Sequence, residues 1–263
     1  MNNIFNVRRF CLLLKKTLLE RPVQIMGFTG LVLTAVFIVY AFLNGPGGNR
    51  DFAQNSTFFI GLAGGGSFLA SVVFGYFGGN AKGYSYLTLP ASPFEKWLCG
   101  VLIVGVLYPA VFILFFSIMD RAFASSYLNS HDPAAADSPM MQHVFALDGW
   151  MAQNVYTLFF IYTGAMMLGS LYFNKMSFIK TALILFGLFI CLYSLNFGVA
   201  RILCSNAINA MPLEFIDVRV VNNDFERIAL PENLANTVNF GVRLVFPASL
   251  WLISLVRLRE KEF

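Results

Sequence analysis

The densest set of residues able to hold a metal or move a proton lies between Asp120 and Gly149, where His131 and His143 stand among Asp132, Asp137 and Asp148. Imidazole and carboxylate are good zinc ligands, but a working site brings them together at short fixed spacing, as two histidines one helical turn apart. These histidines are too far apart in sequence for that. The run between Pro133 and Pro139 is Ala-rich, so the stretch reads as a solvated loop and no metal or cofactor is expected. Other catalytic signatures are missing as well: there is no His-Glu-x-x-His, no Gly-x-Ser-x-Gly and no Gly-x-x-x-x-Gly-Lys-Ser/Thr. The cysteines (Cys11, Cys99, Cys191, Cys204) are scattered without a Cys-x-x-Cys pair, which argues against a disulfide framework. The chain itself is expected to be no enzyme, with no catalytic residue.

The elements that must position any functional group are six long apolar stretches: Pro22 to Asn44, Thr57 to Gly79, Trp97 to Met119, Trp150 to Phe173, Thr181 to Ala200 and Asn236 to Val256. Each has about the 20 residues that cross a ~30 Å hydrocarbon core at 1.5 Å per residue. Runs this long and continuous satisfy their backbones in lipid only as helices. Hydrophobic residues make up 57% of the chain and charged ones 12%, against ~45–50% and ~25% in soluble domains. The fold expected is an all-α polytopic membrane protein, one membrane domain over residues 1–263, with no room for a soluble catalytic domain. A cleavable signal peptide is not expected, because the first apolar stretch is too long for one and lacks a small-x-small cleavage site.

Basic residues alternate across the connections. Arg8, Arg9, Lys15, Lys16, Arg21, Lys82, Lys96, Lys175, Lys180, Arg257, Arg259 and Lys261 fall on one side; Arg50, Arg121, Arg201, Arg219, Arg227 and Arg243 fall on the other. Twelve against six places both termini in the cytoplasm by the positive-inside rule. The formal +4 is therefore a product of topology rather than a nucleic-acid footprint.

Arg243 is the one charge that the pattern pushes below an interface. Only 13 residues separate it from Arg257, about 20 Å of helix, so the last span must begin before it. It either snorkels to the outer headgroups or lines a pathway, with Glu214, Asp217 or Asp148 as ion-pair partners. Asn154 and Asn196 are weaker polar candidates. No carboxylate is expected within the spans, which argues against a proton- or sodium-coupled carrier.

Residues 1–21 read as an amphipathic helix on the inner surface of the bilayer. Ile4, Val7, Cys11, Leu14 and Leu18 recur at helical spacing, and the pair Arg8-Arg9 is repeated by Lys15-Lys16 on one basic stripe. In the second span Gly61 and Gly65, then Ser67, Ser71, Gly75 and Gly79, recur every four residues, a face for close helix packing or dimerisation. Between the fifth and sixth spans, Ile216 to Val221 and Phe225 to Leu230 flank an Asn-Asn-Asp turn, the pattern of a small extracytoplasmic hairpin that acts as a lid or a passive cap.

The connection from Asn80 to Lys96 carries the strongest local signal. Ser92, Pro93 and Glu95 form a Ser-x-x-Glu capping box with proline in the first turn, which is explained by helix initiation alone. The apolar, aromatic run Tyr84 to Leu89 is not so explained: it either folds back on the membrane or docks on a partner. The stretch Tyr86-Leu-Thr-Leu-Pro-Ala-Ser-Pro-Phe-Glu-Lys96 resembles the Leu-Pro-x-Ser-x-x-Glu-Lys segment of bacterial type-2 ATP-binding-cassette (ABC) transporter permeases, where that family places its coupling helix. The six-span plan with an N-terminal elbow helix is similar too; the long connection between the third and fourth spans departs from it.

The resemblance implies a membrane subunit of an ATP-driven transporter, an exporter of the bacterial cytoplasmic (inner) membrane. It would work as a homodimer or paired permease with a separate cytoplasmic ATP-binding subunit. The partner-coupling residues would be Tyr84, Tyr86, Leu87, Leu89, Pro90, Ser92, Glu95 and Lys96, with Arg8, Arg9, Lys15 and Lys16 on the N-terminal helix. The alternative is a non-transporting scaffold or regulatory subunit of an envelope complex that uses the same face.

Overall fold

The computed structural model describes residues 5–20, 22–45, 49–77, 91–130, 144–173, 176–203, 210–214, 217–221, 225–229 and 232–261. Among these, six helices are long and apolar enough to cross a membrane: Val23–Leu43, Arg50–Gly75, Pro93–Ser126, Trp150–Tyr172, Ser177–Leu195 and Asn236–Lys261, the first to sixth spans. By length and composition this is a multi-pass helical membrane protein. A shorter helix, Val7–Glu20, precedes them.

Two spans extend well past their apolar stretches. The second begins at Arg50, where the Asn49 side chain accepts from the Phe52 amide (3.2 Å) and caps it. The third opens on the Ser92–Glu95 capping box with Pro93 in its first turn and runs to Ser126. Four spans contain a widened, π-type turn that holds glycine: Val23–Gly27, Ile60–Gly65, Ile103–Leu107 and Gly241–Val245.

The chain divides into two compact units, one of Met1–Phe178 with Leu250–Phe263 and one of Ile179–Ser249. In the larger unit the second span is the central helix: 67% of its most apolar window is buried, against 17%, 28% and 50% for the first, third and fourth. Small residues allow this. A Cβ added at Gly61 would collide with the Phe112 ring, and one at Gly66 with the ring of Phe159. The Tyr108 hydroxyl donates to the Gly61 carbonyl inside the widened turn (2.5 Å). Further along, Ser170 of the fourth span donates to the Ser71 hydroxyl (3.2 Å), and Ser71 and Ser177 share a hydrogen bond of 3.3 Å. Trp251 packs where the third and fourth spans carry Gly105 and Gly164, and its indole N–H donates to the Phe160 carbonyl (3.0 Å).

The smaller unit holds most of the helix Ser177–Leu203, three short strands and the helical stretch from Glu232 to Ser249. β1 (Ala210–Glu214), β2 (Asp217–Val221) and β3 (Phe225–Ala229) form an antiparallel meander in sequence order. Its register pairs Pro212 with Val218 and Val218 with Ile228, and β1 shifts register between Pro212 and Glu214.

Candidate functional site

At the start of the third span one carboxylate gathers two helix ends. Glu95 is fully buried. Its oxygens accept from the Ser92 amide (3.0 Å), the Asn6 amide (2.8 Å) and both Nε and Nη2 of Arg9 (2.7 and 2.8 Å). The Glu95 amide in turn donates to Ser92 Oγ (3.2 Å), completing the box. Asn6 does for the N-terminal helix what Ser92 does for the third span: its side-chain oxygen accepts from the Arg8 amide (3.0 Å). The carboxylate thus sits at the positive ends of two helix dipoles and meets a guanidinium in the two-pronged geometry that gives such pairs direction. That hydrogen-bonded carboxylate raises the Arg9 guanidinium above its ordinary range.

The contact continues along the helix. Leu13 and Thr17, four and eight residues after Arg9, are the buried residues of Val7–Glu20. Cys99 Sγ donates to Thr17 Oγ1 at 3.7 Å. Lys96 is buried beside them and lines a cavity of about 20 Å³ with Thr17, Gln24, Tyr76 and Cys99. That is about the room one water needs. Of the apolar stripe read from the sequence, Val7 and Cys11 are exposed, whereas Leu14 and Leu18 are half-buried beside Leu13 and Thr17. Arg8, Lys15 and Lys16 are exposed, and Lys16 pairs with Glu20 at 3.5 Å.

Among the coupling residues expected from the sequence, the structure brings Arg9, Ser92 and Glu95 into one network with Lys96 beside it. Tyr84, Tyr86, Leu87, Leu89 and Pro90 lie outside the described residues, as do Gly79, His131, Asp132, Asp137 and His143. Of the small residues, Gly61, Gly65, Ser67 and Ser71 face neighbouring helices of the same chain. Gly75 is more open: a Cβ added there would meet only Ser177 Oγ, at 4.0 Å. Arg243 is exposed within the widened turn Gly241–Val245.

The helix of the third span runs past its apolar stretch and carries a buried carboxylate near each end. Glu95 lies in its first turn, and Asp120 is buried near its far end, about 37 Å further along at 1.5 Å per residue. Asp120 Oδ1 accepts from the Tyr40 hydroxyl (2.6 Å), Gln54 Nε2 (2.9 Å) and Arg50 Nη2 (3.4 Å), and Oδ2 from the Phe145 amide (2.8 Å). The first three spans and the segment before the fourth therefore meet on one side chain. Phe58, Phe116 and Phe145 pack on one another with ring centroids 4.6–5.5 Å apart, and Phe116 also meets the ring of Tyr40 (6.1 Å), so apolar rings adjoin the cluster. Hydropathy ends the third span at Met119 and so hides Asp120. The usable signal was the polar trio Arg50, Gln54 and Asp120 flanking two apolar stretches on the same side of the bilayer.

Neither the family models, nor the curated proteins, nor the solved structures with which the chain was compared give a match.

Proposed function

We propose that this chain is the membrane-spanning subunit of a type-2 ABC transporter, an exporter that works as a dimer with separate cytoplasmic ATP-binding subunits. It would reside in the bacterial cytoplasmic membrane with both termini in the cytoplasm, and ATP hydrolysis would belong to the partner. The observation that carries this reading is the shared carboxylate. Glu95 belongs to the segment that resembles the permease coupling region, and through Arg9 and Asn6 it also holds the N-terminal helix. A push delivered to the connection before Ser92 would reach the third span and that helix together. The helix presents Val7 and Cys11 outward, as an elbow lying on the inner leaflet would.

The test is affinity purification from native membranes in mild detergent, with mass spectrometry of the co-purifying proteins. The expected result is a stoichiometric partner with a Walker phosphate loop, lost when Tyr84, Tyr86, Leu87 and Leu89 are replaced by Ser. Recovery of envelope proteins alone, with no nucleotide-binding subunit at any salt or detergent level, would replace this reading with the scaffold.

A further inference from the structure

The surface between the first and third spans is grooved. Leu33 and Phe37 on one side, and Ala110, Leu114, Ile118 and Ala122 on the other, help line an open channel of about 670 Å³ whose ten lining residues are all apolar. Its walls are open to the surroundings: Leu114 is 64% exposed and Ile118 61%. Phe123 closes the far end through ring contacts with Phe37 (5.8 Å) and Tyr40 (5.1 Å). From Ala110 to Phe123 the third span rises about 20 Å, slightly more than the ~15 Å of hydrocarbon in one leaflet.

At that closed end stands a cation. Arg121 is exposed and lies three residues after Ile118 and seven after Leu114, on the same strip of the helix. It lies about 36 Å along the helix from Trp97, more than the ~30 Å of a hydrocarbon core. Among the described residues no carboxylate lies within ion-pair range of it. The nearest acid in sequence, Asp120, is turned inward onto Arg50, Gln54 and Tyr40.

We propose that this groove is a phospholipid site: one acyl chain lies along the channel between the first and third spans, and Arg121 holds the phosphate. The spacing favours a lipid over a helix of a second copy. A lipid supplies a hydrocarbon chain and an anion one leaflet apart, whereas an apolar helix would leave the guanidinium without an anion. The inference needs only the chain in a bilayer and is independent of the transport reading.

The experiment is native mass spectrometry of the full-length chain, titrated in mild detergent with phosphatidylglycerol or with diacylglycerol of the same acyl chains. A single phosphatidylglycerol is expected to persist where diacylglycerol does not. Arg121→Gln should weaken its retention about tenfold or more, the scale of one charge-assisted hydrogen bond. A second variant, Ala110→Trp with Ala122→Trp, fills the channel and should remove the adduct while the melting temperature stays near that of the parent. Equal retention of the two lipids, or retention unchanged in Arg121→Gln, would leave only unspecific boundary lipid and overturn the site. So would a dimer that forms in place of the lipid adduct and is lost in the double-Trp variant.

Discussion

The two buried carboxylates of the third span each accept four hydrogen bonds, yet they hold the molecule differently. Around Asp120 every side-chain partner is itself sequestered: Tyr40 and Gln54 are buried, and the Arg50 side chain is 12% exposed. Around Glu95 the cation is Arg9, whose side chain is 37% exposed and sits on a helix outside the six spans. The Asp120 end welds the first three spans together. The Glu95 end is a tether, with one partner in the bundle and the other open to water and salt. An element joined to a span by a water-exposed contact can detach at modest cost, whereas one held by a buried cluster cannot.

The sharpest way to break the comparison is Asp120→Ala. It removes the acceptor for a buried hydroxyl, a buried amide and a guanidinium at once. Breaking a buried charge pair by deleting one partner costs about 3–5 kcal/mol. Denaturant unfolding in detergent micelles should show that loss. Tyr40→Phe, which removes one donor and leaves the carboxylate with three, should cost about 1 kcal/mol. If the two variants cost the same, the cluster is not the weld described here.

A packing control ranks next. Gly61→Ala drives a methyl into the Phe112 ring, whereas a methyl at Gly64, in the same widened turn, meets nothing within 4 Å. Overpacking costs about 1–3 kcal/mol. Gly64→Ala should be neutral or slightly stabilising, since alanine is the better helix former. The same unfolding assay separates the two. Equal effects would mean that the second span is not the central helix that its burial indicates.

Much of this was legible in the sequence, and the failures share one cause. Six apolar stretches mark six spans, and Ser92-Pro93-Phe94-Glu95 marks the start of the third, because hydropathy and capping are local properties. Asp120 was not legible: its partners Tyr40 and Gln54 lie 80 and 66 residues away, and hydropathy trims the polar helix ends where such clusters form. The N-terminal helix was legible as amphipathic, but its buried face was not. Leu13 and Thr17 pack on the side where Arg9 meets Glu95, a tertiary contact that periodicity cannot anticipate. β1 was hidden by Pro212, which argues against a strand yet is accepted at the sheet's edge.

At the tether, Ser92→Ala removes the N-cap acceptor of the third span and should cost about 1 kcal/mol. Arg9→Ala should do less to global unfolding and more to one element. Hydrogen exchange over residues 7–20 is expected to accelerate while the amides of the second and fourth spans keep their protection. Salt should mimic the substitution in part, because at ~1 M the Debye length shrinks to about 3 Å and a water-exposed pair is screened. The Asp120 cluster, closed to ions, should keep its protection under the same salt. If exchange over residues 7–20 ignores both Arg9→Ala and salt, then Leu13 and Thr17 hold the helix by packing alone, and Glu95 is a cap rather than a tether. If instead the spans loosen together with the helix, the two ends are one cooperative unit, and the asymmetry that would let this end move is absent.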